Sequence, residues 1–137
     1  MGTTLRLPGR DLDLTADRYG PADGPPVLFF HGGGQTRHAW GGTAELLGDK
    51  GWRATTVDLR GHGDSDWADD GDYDIDAFAG DVRAVARAEP APPVLIGASL
   101  GGLASLVGVA EDPEADTQAR PLASGLVLVD VAPRLEP

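Results

Sequence analysis

The chain has 137 residues, 41% of them hydrophobic, which is enough for one domain of ordinary size with a buried core. Its 22 acidic and 11 basic residues give a net charge of -11, which disfavours nucleic acid and anionic membranes as partners. There is no cysteine, so the sequence excludes disulfides and Cys-based metal sites. No apolar run approaches the roughly 20 residues of a membrane span, and residues 1–11 lack a hydrophobic signal core. We therefore expect a cytoplasmic protein with no membrane partner.

The first part of the chain predicts a hairpin, a buried strand and a helix. Residues 3–7 and 11–19 alternate polar and apolar side chains on either side of a Pro-Gly-Arg turn. Residues 27–30 are a continuous apolar run followed by glycines, which is typical of a strand buried on both faces of a parallel sheet. Residues 36–47 are predicted to form a helix capped by Thr36.

The rest of the chain predicts further alternation of strands and helices. A strand is predicted at residues 53–59, buried strands at residues 93–96 and 126–129, and helices at residues 74–89 and 99–110. Strands and helices of these lengths favour a parallel sheet covered on both faces by right-handed crossovers. The predicted fold class is therefore α/β, with a mostly parallel sheet of about six strands.

The strongest chemical signal is the pentapeptide Gly97-Ala98-Ser99-Leu100-Gly101, a G-x-S-x-G pattern. It leaves a predicted buried strand and enters an apolar helix, which places the serine at the tip of a sharp, strained turn. Ser99 is therefore the candidate catalytic nucleophile. The backbone N–H of Leu100 begins the helix and can donate to an oxyanion. The competing interpretation is an ordinary serine in a packing turn of small residues.

A second signal, His31-Gly32-Gly33-Gly34-Gln35, directly follows the strand that ends at residue 30. Glycines at this place allow backbone N–H groups to point into a cleft. Acyl transfer needs two such donors, and Leu100 supplies one. Gly33 is the candidate for the other oxyanion donor, with Gly34 as the alternative. A plain tight turn before a helix would give the same pattern.

The third signal is the polar loop 58–65, Asp-Leu-Arg-Gly-His-Gly-Asp-Ser, which follows a predicted strand. We interpret it as structural, with side chains that tie this loop to neighbouring turns. The acidic stretch at residues 64–76 is interpreted as a solvated loop rather than a set of metal ligands. No metal and no other cofactor is predicted.

These three motifs, in this order, resemble the α/β-hydrolase superfamily, and more narrowly its esterase, epoxide-hydrolase and haloperoxidase-like branch. The resemblance implies an eight-stranded, mostly parallel sheet with a Ser-Asp-His triad in that chain order. Ser99 matches the nucleophile position. Epoxide hydrolases and haloalkane dehalogenases of this branch have an aspartate there, so the chain is more similar to the ester-cleaving or perhydrolase members.

The resemblance covers only the amino-terminal half of that fold. In most members of the superfamily the acid follows the seventh strand and the histidine the eighth, whereas the strands predicted here end with the sixth. Residues 1–137 are therefore expected to form a truncated domain without the cap and the carboxy-terminal strands. His31, His38 and His62 all precede the nucleophile, so none is expected to be the general base. Asp130 follows the sixth strand, where a minority of members place the acid and where an aspartate is more often structural.

The predicted function is that of a serine hydrolase acting on a small carboxylic ester or similar acyl compound. The alternative is a truncated, non-catalytic protein that binds a ligand or a partner chain. Without a seventh strand, the strand that begins at Leu126 and ends at Val129 becomes a sheet edge. An apolar edge is a template for self-association or for a complementing chain.

Overall fold

The computed structural model describes residues 2–117 and 120–130. These residues form six strands, three α-helices and a short 3₁₀ helix at Arg37–Trp40. The strands are β1 (Thr3–Pro8), β2 (Asp13–Tyr19), β3 (Pro26–Phe30), β4 (Arg53–Val57), β5 (Val94–Ala98) and β6 (Gly125–Val129). The α-helices are α1 (Gly41–Asp49), α2 (Ile75–Arg87) and α3 (Leu100–Ala110).

The strands form a single sheet in the order β1-β2-β4-β3-β5-β6. β1 and β2 form the predicted antiparallel hairpin, and β2 pairs antiparallel with β4. The other four strands run parallel, with Phe30 opposite both Val57 and Gly97. The loops that follow β3, β4 and β5 therefore meet at the carboxyl ends of the parallel strands, where parallel α/β sheets bind their ligands. The predicted fold class is confirmed.

The core lies on both faces of the sheet, as the apolar run of β3 predicts. Leu28 and Phe30 pack into a large cluster with residues of α2 and α3, whereas Val27 and Phe29 pack on the other face with Ala44 of α1. Every residue of β3 is buried. None of the helices within the described ranges is long and apolar enough to cross a membrane.

The predicted helix at residues 36–47 is divided in two. Thr36 caps as predicted and accepts from the N–H of His38 at 3.4 Å, but the first turn is the 3₁₀ helix, and α1 begins only at Gly41. The reason is tertiary: both the backbone N–H and the guanidinium of Arg37 donate to Asp58 in the loop after β4. These bonds hold the first turn against that loop.

β6 lies at the sheet edge, but its predicted burial is wrong. It pairs with β5 on one side, and within the described residues no strand pairs with its other side. The side chains of Val127, Leu128 and Val129 are 46%, 37% and 37% exposed. Burial of this strand needs a neighbour that the described residues do not supply.

Candidate active site

Ser99 lies at the turn between β5 and α3, in the geometry that the pentapeptide predicts. Its backbone has φ 50° and ψ -114°, a conformation that non-glycine residues rarely adopt and that marks stored strain at functional sites. Two backbone bonds hold it: the Ser99 N–H donates to the carbonyl of Val129 at 3.1 Å, and the Ser99 carbonyl accepts from Leu103 at 2.9 Å. The strain is therefore maintained by β6 on one side and by α3 on the other.

The two glycines of the pentapeptide are required by close backbone approaches. A Cβ added at Gly97 would lie 2.5 Å from the carbonyl carbon and oxygen of Gly101. A Cβ added at Gly101 would lie 2.5 Å from the carbonyl carbon of Phe30 and 2.6 Å from the carbonyl oxygen of His31. Since these neighbours are backbone atoms, they have little freedom to move away.

The glycine loop after β3 lies against this turn. A Cβ built at Gly32 would lie 3.5 Å from the Cβ of Ser99, and one built at Gly33 would lie 3.6 Å from a methyl group of Leu100. The Gly34 N–H donates to Nε2 of His62 at 3.0 Å, so this donor is already used. In the described residues neither the Gly33 N–H nor the Leu100 N–H donates to a protein acceptor. Of the two glycine candidates, Gly33 is therefore the one whose N–H has no protein acceptor within the described residues.

His31 is fully buried and holds two loops together. Its Nδ1 lies 2.7 Å from the carbonyl of Gly32, and its Nε2 accepts from the N–H of Leu59 at 3.0 Å. Because Nε2 accepts, the ring is neutral and Nδ1 carries the proton. Burial lowers the pKa of His31, which favours the same neutral form.

The other two histidines are also occupied elsewhere or exposed. Nδ1 of His62 lies 2.9 Å from the carbonyl of Arg60, and its Nε2 accepts from the Gly34 N–H. His38 is exposed, with Nδ1 4.0 Å from Asp17. No histidine within the described residues is hydrogen-bonded to the Ser99 hydroxyl, as their positions before the nucleophile predict.

The loop at residues 58–65 ties neighbouring turns together, as interpreted from the sequence. The buried carboxylate of Asp58 accepts from the backbone and guanidinium of Arg37 and from the N–H of Asp64. The Ser65 hydroxyl donates to the Asp58 carbonyl at 2.6 Å and accepts from the N–H of Thr15 at 2.8 Å. These contacts attach the loop to β2 and to the segment that follows the glycine loop.

Arg60 fastens the same loop to α2 through a buried ion pair. Its Nε and Nη2 donate to the two oxygens of Asp81 at 2.6 and 2.8 Å. Its remaining donors contact the carbonyls of Arg10 and Asp72. The hydrogen bonds to Asp81 raise the pKa of Arg60 above its ordinary value.

A surface cavity lies away from Ser99. It measures about 460 Å³ and is lined mainly by Arg10, Leu12, Arg60 and the acidic loop around Trp67. Ser99, Gly33 and Leu100 do not line it. Within residues 2–117 and 120–130, no group of three or more His, Asp or Glu side chains could hold a metal ion.

Sequence reasoning missed two side chains that organise the site. Gln35 closes the glycine loop, and Arg37 joins the segment after that loop to Asp17, Asp58 and Asp64. The only available signals were a glutamine directly after three glycines and an arginine two residues later. Neither pattern indicates which group the side chain will bond to. For Arg37 the partners also lie far away in the sequence.

Comparison with known proteins identifies relatives along most of the chain. The family described as alpha/beta hydrolase fold matches residues 25–115. An esterase of Mycobacterium tuberculosis is 38% identical over 121 residues, which are 88% of this chain and 37% of the esterase. A non-heme chloroperoxidase of Streptomyces lividans is 39% identical over 103 residues, 74% of this chain and 36% of the relative.

Solved structures show the same fold. The structure of E-2-(acetamidomethylene)succinate hydrolase superimposes with a TM-score of 0.86 at 27% identity, over 99% of this chain and 47% of the hydrolase. The chain thus spans less than half the length of each relative described here. The strained turn at Ser99 and the glycine loop both lie inside the region that the family matches.

Proposed function

Since the chain belongs to the α/β-hydrolase family, we propose that it is the nucleophile-bearing part of a serine hydrolase for a carboxylic ester or similar acyl compound. The observation that carries this proposal is the strained backbone of Ser99, with φ 50°, beside two N–H groups without a protein acceptor. Stored strain at one polar residue, next to N–H groups that have no protein acceptor, is an arrangement that suits acyl transfer. The 38% identity to an esterase supports the same chemistry.

In the proposed reaction, the Ser99 oxygen attacks the acyl carbon and passes its proton to a general base. The carbonyl electron pair moves to oxygen, and this oxyanion accepts from the N–H groups of Leu100 and Gly33. Collapse of the intermediate expels the alcohol, which takes the proton, and leaves an ester on Ser99. Water then attacks this ester with the help of the general base, and a second oxyanion forms. Its collapse releases the acid and returns the proton to Ser99.

None of the three histidines is placed to be the general base of this reaction. His31 and His62 use both ring nitrogens in structural contacts, and His38 lies beside Asp17. A serine hydroxyl without its base is a weak nucleophile. Loss of a triad member leaves only roughly 10³–10⁴-fold acceleration over water, from the oxyanion donors and substrate binding.

Added imidazole supplies the missing base and so tests the proposal. The purified chain alone should turn over p-nitrophenyl butyrate negligibly, with no difference on Ser99→Ala. With imidazole and the ester, intact-mass and peptide analysis should find one butyryl group on Ser99. Lys50 is the only lysine, so background acylation of amines is low.

The matched control is Ser124→Ala, which removes an exposed hydroxyl outside the site and should acylate like the unchanged chain. Ser99→Ala should lose the adduct. Acylation that persists in Ser99→Ala, or none above the Ser99→Ala background in the unchanged chain, overturns the nucleophile assignment. Fast turnover without imidazole would instead identify one of the three histidines as a base.

A second candidate function, binding of a partner chain, is favoured by the exposed edge of β6. Val127, Leu128 and Val129 are all more than a third exposed, and one side of the strand has no pairing strand within the described residues. Burying such side chains contributes roughly 1.5–3 kcal/mol each. A domain has a stability margin of only about 5–15 kcal/mol, so pairing along this edge would be a large gain.

We expect the isolated chain to self-associate through this edge. Light scattering over a concentration series should show dimers or larger species, and Val127→Lys with Val129→Lys should shift them towards the monomer. Leu46→Lys is the matched control, because Leu46 is an exposed apolar residue of α1. A monomer at every concentration, with no gain in solubility from the β6 lysines, would contradict this second proposal.

A further inference from the structure

Gln35 closes the glycine loop by a reciprocal pair of hydrogen bonds. Its backbone N–H donates to the carbonyl of Gly32 at 3.1 Å, and its side-chain Oε1 accepts from the Gly32 N–H at 3.1 Å. Both polar backbone groups of Gly32 therefore bond to one residue. Gly33 and Gly34 lie between the two ends of this closure.

The Gln35 carboxamide also lies beside the candidate nucleophile. A single point, the position of a Cβ built on Gly32, is 3.0 Å from Oε1 of Gln35 and 3.5 Å from the Cβ of Ser99. The side chain is exposed, and no core packing holds it there. In the described residues Gln35 makes no other hydrogen bond, so the contact with Gly32 accounts for its placement.

We propose that Gln35 is a positioning residue, whose carboxamide oxygen holds Gly32 so that the Gly33 N–H meets the oxyanion formed at Ser99. This inference rests on the proposed function. Three consecutive glycines have more backbone freedom than any other tripeptide, and nothing in their own side chains selects one conformation. The Gly34 N–H is fixed by His62, and the Gly32 N–H by Gln35, which leaves Gly33 restrained from both sides.

The proposed role predicts a rate effect without a binding effect. Removing one oxyanion donor costs roughly 10²–10³-fold in rate, and displacing a donor by about an ångström costs up to about 10²-fold. A loop released at the Gly32 N–H, but still held at the Gly32 carbonyl by His31 and at the Gly34 N–H by His62, should lose part of this rate. Because the donor acts on the oxyanion rather than on the bound ester, the ester concentration for half-maximal rate should stay the same.

The test uses Gln35→Met, which preserves the length of the side chain and removes its acceptor. Imidazole-supported acylation of Ser99 should slow by about 10–100-fold at saturating ester, with the half-saturating ester concentration within about twofold of the unchanged chain. Exchange of the Gly32 amide hydrogen with water, followed by NMR, should accelerate roughly two- to tenfold. His38→Gln alters an exposed side chain three residues further on and should change neither measurement.

Gln35→Glu keeps an acceptor oxygen at the same distance and should restore slow exchange at Gly32. A merely structural glutamine would change the unfolding midpoint without separating rate from half-saturation. The inference is overturned if Gln35→Met acylates Ser99 as fast as the unchanged chain, or if its Gly32 exchange is unaltered. Failure of the proposed function is distinct, because then the unchanged chain itself shows no acylation of Ser99.

Discussion

The substitution Gly101→Ala should unfold the chain or lower its free energy of unfolding by roughly 3 kcal/mol or more. The added Cβ would lie 2.5 Å from the carbonyl carbon of Phe30, closer still to the Phe30 oxygen, and 2.6 Å from the oxygen of His31. These are backbone atoms of β3 and of the residue after it, so α3 would have to move away from the sheet. That movement would also break the bond from the Gly101 N–H to His31 and remove the strained turn at Ser99.

Gly42→Ala is the matched control, because a Cβ there meets nothing within 4 Å. Gly42 lies on the exposed side of α1, where alanine should leave stability unchanged or raise it by up to about 1 kcal/mol. Urea denaturation, monitored by circular dichroism, measures the free energy of unfolding of both variants. If Gly101→Ala has the same free energy of unfolding as the unchanged chain, the close approach of α3 to β3 is not what holds the serine turn.

Asp81→Ala should cost about 3–5 kcal/mol, the effect of removing one partner of a buried ion pair. Arg60 is 3% exposed and Asp81 is fully buried, so the substitution would remove the carboxylate that is paired with a buried guanidinium. It would also orphan the backbone N–H of Arg10, which donates to the same carboxylate at 2.7 Å. The loop after β4 should loosen first, since Arg60 joins it to α2.

Two further variants separate the charge effect from loss of packing. The double substitution Arg60→Met with Asp81→Leu removes both charges and should recover part of the lost stability. Glu114→Gln neutralises the more exposed partner of Arg87, and we expect a change below about 1 kcal/mol. Urea unfolding again gives the comparison. Equal losses in Asp81→Ala and in the double variant would show that packing, not charge, makes this site sensitive.

Two of the three histidines make structural contacts between loops at the carboxyl ends of the parallel strands, rather than contacts suited to proton transfer. His31 joins the carbonyl of Gly32 to the N–H of Leu59, and His62 joins Arg60 to Gly34. Each ring accepts a backbone N–H through Nε2. Their roles explain why loops after two different strands keep a fixed spacing beside Ser99.

The sequence by itself determined the α/β class, the six strands and the strained turn at Ser99. These features depend on patterns within a few residues: a continuous apolar run for β3, and a glycine on each side of the serine where backbones nearly touch. Local steric contacts and the period of the hydrophobic pattern involve only residues that are close in the sequence. A sequence shows such patterns directly.

Only the tertiary structure decided which glycine keeps a free donor, where the histidine protons lie and how exposed β6 is. Gly34 loses its N–H to His62, which is 28 residues away. Arg60 meets Asp81 across 21 residues. Hydrogen bonds and ion pairs of this kind depend on distances that folding creates. The type of a residue alone therefore does not reveal which distant residue becomes its partner.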